Sequence, residues 1–281
     1  MTRRPSARRR RRRDRVARWF LYALVVGYVG ALLGLPAVAI LWGALAEGAG
    51  RFARSLVEAG AAHALQLSLV MAAIAVAVNT VMGTIVAWVL TRDRFRGRNL
   101  LNAVVDVPFA ISPIIVGFAL ILLLGPRGLF GPLAARLGVQ IVFAWPGMAL
   151  ATTFVSIPFV IREVGLVLAE TGRDQEQAAL TLGASPLYAF FRVTLPSIRW
   201  GLLYGVLLTT ARALGEFGAV LVVSGGVAEL TETGTLFVFR ALDDRRDVAA
   251  YSMSVALAGL SIALIALLQV LRRRREAAER A

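Results

Sequence analysis

The sequence contains neither cysteine nor lysine, and its only histidine is His63. Without cysteine the chain can form no disulfide framework, no thiolate metal site and no cysteine nucleophile. A single histidine argues against a histidine-based metal centre or general base, so we expect no metal site. Without lysine, a phosphate-binding loop of the form G-x-x-x-x-G-K-[ST] cannot occur. These absences remove most of the side chains from which enzymes build metal, thiol or nucleotide chemistry.

Charge is also scarce: 17% of the 281 residues are charged and 58% are hydrophobic. Soluble domains have about 25% charged and about 45–50% apolar residues. The mean hydropathy of +0.72 is that of a membrane protein. The 31 arginines exceed the 17 acidic residues, but they cluster at the ends of apolar runs rather than on one face. The composition therefore argues against a soluble enzyme and against a nucleic-acid partner.

Six apolar stretches are long enough to cross a bilayer as helices, which needs about 20 residues each. Nothing alternates with the period of two that barrel strands require. The sequence therefore predicts an all-α polytopic membrane protein with six transmembrane helices. Five stretches carry no charge. The remaining one, residues 200–223, is the fifth in chain order and contains Arg212 and Glu216. The five uncharged stretches are residues 19–46, 64–90, 107–126, 137–161 and 248–271.

The distribution of arginine predicts the orientation, because cytoplasmic segments are enriched in positive residues. With six spans both chain ends lie on one side, and that side holds 23 arginines against 7 on the other. We therefore expect cytoplasmic tails at residues 1–18 and 272–281, flanking one six-span domain at residues 19–271.

The arginine-rich run at residues 8–13 has three interpretations. It could be a nucleic-acid arm or the start of a signal peptide, because residues 37–39 (Ala-Val-Ala) resemble a cleavage site. The following apolar run is about 27 residues long, whereas a signal peptide has about 7–15. This favours an uncleaved first span with a basic, topology-setting tail, and Pro36 predicts a kink within it.

The longest segment on the predicted cytoplasmic side, residues 162–199, alternates charged and apolar residues. We predict two short helices here. Asp174 is the expected N-cap of the first, and Gly183 is placed to end it. Ser185 and Pro186 are placed to start the second, which Leu195-Pro196 is expected to end. The segment is either an amphipathic hairpin packed on the span ends or a docking element for a soluble partner.

The same segment resembles the EAA loop of the permeases of ABC-type importers. The family pattern is E-A-A, three residues, G, nine residues, an apolar residue, one residue and L-P. Aligned on Gly183, its glutamate falls on Gln177, with Glu176 one residue earlier, and the other pattern positions match. The matching residues are Ala178, Ala179, Gly183, Val193, Leu195 and Pro196.

This resemblance implies a type I importer permease fold with a cytoplasmic coupling helix, within a loop at about residues 170–197. It implies that Glu176, Gln177, Ala178, Ala179, Gly183, Leu195 and Pro196 form the contact with an ATPase. The chain itself would bind no cofactor and hydrolyse nothing, since a separate subunit would use the ATP. The implied partners are a second permease subunit in a heterodimer, two copies of the ATPase subunit, an extracytoplasmic binding protein and membrane lipid.

Three further stretches resemble one subunit of the sulfate and thiosulfate permeases. They are DVPFAISP (106–113), QIVFA (140–144) leading into IPFVIRE (157–163), and VTLPSIRWGLLYG (193–205) continuing to ARALGEFGAV (211–220). The ARALGEFGA part is shared with molybdate permeases, so molybdate or tungstate stays an alternative substrate. A membrane-embedded enzyme is disfavoured, because the chain has no cluster of histidine and acidic residues for catalysis.

Ionisable groups inside a membrane are costly and usually face a bundle interior or a cavity. Arg212 and Glu216 are four residues apart and can pair on one helical face. The pair either orients the fifth span or acts as a gate that offers positive charge to an anion. Ser112 and Pro113 are further candidates for the pathway, because unwound backbone at membrane depth is tolerated along a cavity. Asp106 would repel a dianion, so we expect a helix-end or partner contact there instead.

Overall fold

The computed structural model describes residues 7–278, and all regular elements in that range are helical. Residues 1–6 and 279–281, which belong to the predicted cytoplasmic tails, lie outside the described residues. Fourteen α-helices occur in the described range. They are α1 (Ala7–Val29), α2 (Leu35–Leu45), α3 (Ala49–Val57), α4 (Ala59–Arg92), α5 (Arg98–Ala110), α6 (Pro113–Leu124), α7 (Gly131–Arg136), α8 (Trp145–Thr171), α9 (Asp174–Thr181), α10 (Pro186–Ala189), α11 (Leu195–Leu214), α12 (Gly218–Val223), α13 (Gly234–Asp243) and α14 (Asp247–Ala278).

Four helical stretches in the described residues are long and apolar enough to cross a membrane. They are Arg18–Leu45, Gly60–Arg92, Trp145–Thr171 and Asp247–Leu267. They correspond to the predicted first, second, fourth and sixth spans. The first is continuous across Pro36, because a π-helical turn (Gly30–Gly34) precedes the proline. The fourth begins at Trp145 instead of residue 137 and continues to Thr171.

The predicted third span, residues 107–126, is not one helix. Helices α5 and α6 meet at an angle of 114° across Ile111 and Ser112. Both residues have extended backbone, as a residue before proline prefers, and Pro113 starts the new helix. The pair is either a broken span or a re-entrant loop. By length and composition, residues 7–278 therefore contain four possible spans, or five with this pair.

The predicted fifth span, residues 200–223, is also broken. Helix α11 starts earlier, at Leu195, and ends at Leu214, and α12 begins only at Gly218. Arg212 and Glu216 therefore do not share one continuous helix: Arg212 lies in the last turn of α11, and Glu216 lies in the break. The six-helix prediction is thus correct in its apolar segments but wrong in treating all six as single helices.

The centre of the fold is the close packing of α4, α8 and α11. Glycines allow this approach: a Cβ at Gly205 of α11 would lie 2.8 Å from the Cα of Val160 in α8. Val160 itself is fully buried. Small residues at helix contacts are typical of membrane bundles, where backbones pack closely. Helices α5, α6 and α12 of the two broken segments all contact α8 of this core.

Candidate functional site

Gly183 ends α9 with the backbone geometry that the sequence predicts. Its φ is +88°, in the left-handed region that favours glycine. The amide of Ala184 donates to the carbonyl of Ala179, and the amide of Gly183 donates to that of Leu180, both at 3.0 Å. These two bonds form a Schellman motif. The direction in which the chain leaves α9 is therefore set by this glycine.

The N-cap predictions for the two short helices have different outcomes. Ser185 caps α10 as predicted: its hydroxyl accepts a hydrogen bond from the amide of Tyr188 at 3.2 Å. Asp174, predicted as the N-cap of α9, is instead its first residue, and Arg173 precedes it without a side-chain cap. The carboxylate still lies in the first turn, where the helix dipole favours negative charge.

Leu195-Pro196 does not end the second helix as predicted. After α10 the chain passes through a π-helical turn (Phe190–Thr194) directly into α11, with Pro196 in the first turn of α11. The amide of Leu195 bonds to the carbonyl of Phe190, five residues back. The π turn changes the backbone hydrogen bonds from i→i−4 to i→i−5 just before Pro196. The helix therefore continues although Pro196 has no N–H to donate. The loop is therefore joined rigidly to a central helix.

Glu176 faces its own chain. Its Oε1 accepts hydrogen bonds from the Nη2 of Arg92 and from the hydroxyl of Thr194, both at 2.9 Å. The Nη1 of Arg92 donates to the carbonyl of Leu168 at 3.1 Å, and this arginine is 7% exposed. One partly buried ion pair thus ties α9 to the ends of α4 and α8. Arg92 was not among the sequence candidates, because an arginine that ends an apolar run is typical of many membrane helices.

The outer side of the loop is apolar and exposed. Gln177, Ala178 and Pro196 are exposed, and Ala179 and Leu195 are half-buried. Leu182 is 89% exposed and Leu187 70%. We call the exposed large apolar residues between the start of α9 and the end of the π turn the coupling surface: Leu180, Leu182, Leu187, Tyr188 and Phe191. Exposed apolar clusters of this kind occur at protein-interaction and membrane-interaction sites.

Glu216 is held in the break between α11 and α12. Its carboxylate Oε2 lies 2.7 Å from the Nη1 of Arg212, and its Oε1 accepts from the amide of Ala219 at 2.9 Å. The glutamate side chain is 2% exposed, whereas that of Arg212 is 30% exposed. The carboxylate therefore caps α12 and neutralises the arginine from its buried side, while the guanidinium keeps an open side.

The two helix breaks meet. A Cβ at Gly218 would lie 3.1 Å from the Cβ of Pro113 and 3.3 Å from the amide of Ile114. Ser112, which is exposed, precedes this contact. The structure thus brings the four pathway candidates, Ser112, Pro113, Arg212 and Glu216, to one junction of interrupted helices. Asp106, by contrast, lies inside α5, where it pairs with Arg162 of α8 at 2.6 Å.

Helix α13 and the segment before it add polar contacts that the sequence did not predict. Buried Glu232 accepts two hydrogen bonds from Arg240, at 2.5 and 2.8 Å, and these bonds raise the pKa of Arg240 above its usual range. The hydroxyl of Thr235 donates to the backbone carbonyl of Glu216 at 2.7 Å. Threonine in a short loop helix has no distinctive spacing, so no sequence signal pointed to it. Within the described residues, no group of three or more potential ligands could hold a metal ion.

Comparisons with known proteins agree with these features. Residues 79–277 match the family described as "Binding-protein-dependent transport system inner membrane component". The chain is 47% identical to the sulfate transport system permease protein CysW of Synechocystis sp., over 92% of this chain and 93% of that protein. It is 40% identical to the protein of the same name from Escherichia coli K12, over 94% and 90%.

Solved structures show the same fold at low sequence identity. A bacterial ABC transporter that imports alginate matches with a TM-score of 0.76 and 16% identity, over 94% of this chain and 99% of that one. The alginate transporter in complex with an alginate-bound periplasmic protein matches with a TM-score of 0.75 and 16% identity, over 93% and 96%.

Proposed function

Because this chain belongs to the family of binding-protein-dependent transport system inner membrane components, we propose that it is the permease subunit of an ATP-driven importer of sulfate or thiosulfate. The observation that carries the substrate is the identity of 40–47% to proteins named sulfate transport system permease CysW, over most of both chains. Sulfate is a tetrahedral dianion, and a junction of helix breaks with one partly exposed arginine suits an anion.

The energy would come from another chain. The absence of lysine rules out a phosphate-binding loop of the usual form. We propose that an ATPase subunit, present in two copies, docks on the coupling surface. Glu176 would act indirectly, by holding α9 in place through its ion pair with Arg92. Gln177, Ala178 and the coupling surface would contact the ATPase. Gly183 would set the angle between α9 and α10.

The remaining partners complete a transporter. A second, similar permease would form the other half of a heterodimeric pore, and an extracytoplasmic protein would deliver the anion. The chain would lie in the cytoplasmic membrane with residues 1–18 and 272–281 inside, as the arginine distribution predicts. In the pathway, Ser112 and Pro113 would line the break beside Arg212, whose guanidinium would meet the dianion while Glu216 holds it.

The test is uptake of labelled sulfate by cells that lack this protein. We expect high-affinity sulfate uptake to be abolished and to return when the chain is supplied from a plasmid, while molybdate uptake persists throughout. Loss of molybdate uptake with intact sulfate uptake would contradict the substrate and would favour a molybdate or tungstate permease. Loss of neither would contradict a role in importing either anion.

A further inference from the structure

Helix α13 touches the intramembrane break at one end and an exposed charged turn at the other. Its ten residues span about 15 Å. The exposed turn is residues 243–247, five consecutive charged side chains, Asp-Asp-Arg-Arg-Asp. At the other end Thr235 donates to the carbonyl of Glu216 at 2.7 Å. One short helix thus connects the predicted extracytoplasmic surface with the residue that holds Arg212.

The first turn of α13 is firmly fixed. The amide of Gly234 donates to the hydroxyl of Ser68 in α4 at 2.8 Å. The hydroxyls of Thr233 and Thr235 lie 3.1 Å apart, and Glu232 binds Arg240 one and a half turns further along α13. On its buried face Phe237 and Ala241 pack against Ala250 and Met253 of α14. Thr235 therefore belongs to a helix whose position is set by contacts with α4 and α14.

The position of Glu216 depends on its hydrogen bond from Thr235, because its other polar groups are also held by the protein. Its amide bonds back to Ala213 at 3.2 Å, its carboxylate bonds to Ala219 and pairs with Arg212, and its carbonyl receives the Thr235 hydroxyl. Loss of the last bond leaves a buried carbonyl without its donor, which favours rotation of the peptide and a shift of the carboxylate.

We propose that Thr235 is a positioning residue. Through its bond to Glu216 it sets the place of the Arg212 guanidinium, so the response of the helix break to the binding protein depends on Thr235. This inference rests on the proposed function, because it requires a binding protein that delivers the anion.

The experiment uses the complete complex of both permeases and the ATPase in lipid nanodiscs. ATP hydrolysis is measured with and without the sulfate-loaded binding protein, and the ratio of the two rates is compared among variants. Thr235→Val, which removes the hydroxyl and keeps the shape, should lower this ratio about 5-fold, the equilibrium factor of one neutral hydrogen bond. Thr235→Ser, which keeps the hydroxyl, should retain the wild-type ratio.

The matched control is Thr209→Val in α11. Thr209 is fully buried, and its hydroxyl has no hydrogen-bond partner within the described part of the chain. This control should keep the wild-type ratio. A ratio in Thr235→Val equal to that of the wild type would overturn the proposal, as would a loss in Thr235→Ser as large as in Thr235→Val.

If Thr235→Val does not assemble, Thr235→Ala takes its place under the same criteria. A wild-type complex that the binding protein does not stimulate at all would contradict the proposed function itself, and with it this proposal, before any variant is compared.

Discussion

At the scale of single residues, Arg212 and Glu216 allow the sharpest test of the pathway. The sequence left two interpretations of this pair, a structural brace and a group that meets the anion. The structure shows features of both, because Glu216 is buried and caps α12 while Arg212 is 30% exposed. A structural role requires only that the two side chains pair with each other, whereas anion binding requires the positive charge of Arg212.

Arg212→Gln should destabilise the protein by about 1–3 kcal/mol, because it leaves the buried carboxylate of Glu216 without its cation. Adding Glu216→Gln should recover most of this loss, since two neutral amides need no counter-charge. Sulfate uptake should be abolished in Arg212→Gln and should not recover in the double variant, because both lack the positive charge. Thermal unfolding of the purified complex and uptake in cells measure the two effects separately. Recovery of uptake together with stability would confine the pair to a structural role.

At the scale of elements, Gly183 determines how α10 is aimed. Its φ of +88° costs a residue with a side chain about 1–2 kcal/mol, and a Cβ there would meet no atom of the described residues within 4 Å. The cost of Gly183→Val is therefore backbone strain and not a clash. Relief of that strain would turn the coupling surface away from the ATPase. We expect lower sulfate uptake and less co-purified ATPase at an unchanged amount of protein in the membrane.

Gly138 provides the matched control for this prediction. It follows α7, has a φ of +66° and likewise meets no described atom within 4 Å. Gly138→Val therefore introduces a similar strain at the predicted opposite side of the membrane. It should leave co-purification of the ATPase unchanged. Equal behaviour of the two variants would remove Gly183 from the coupling mechanism.

The same elements show what could be predicted from the sequence. Gly183 and Ser185 were found because a helix end and a helix start depend on local backbone chemistry. The broken spans were missed, because a hydropathy average does not register a change in helix direction within an apolar stretch. Glu176 was placed beside the ATPase by motif alignment alone. Its contact with Arg92 joins residues 84 positions apart, so it depends on packing that no local pattern contains.

At the scale of the whole molecule, the topology depends on whether α5 and α6 together cross the membrane. Their 114° angle fits a broken span and also a re-entrant loop. A broken span places the loop at residues 125–136 outside, as the arginine distribution predicts, whereas a re-entrant loop returns it to the cytoplasm.

The absence of cysteine makes this question directly measurable, because any introduced cysteine is the only one. Suitable sites are Val57 (76% exposed), Leu129 (75%) and Leu182 (89%). In intact cells a membrane-impermeant maleimide should label Val57→Cys and Leu129→Cys. Val57 lies outside because it follows the first span and precedes α4, and Leu129 lies outside if α5 and α6 form a broken span. Leu182→Cys, on the coupling surface, should react only after the membrane is opened. Labelling of Leu129→Cys only after opening would show that α5 and α6 form a re-entrant loop. Labelling of Leu182→Cys together with no labelling of Val57→Cys in intact cells would reverse the predicted orientation and place the coupling surface beyond the reach of an ATPase.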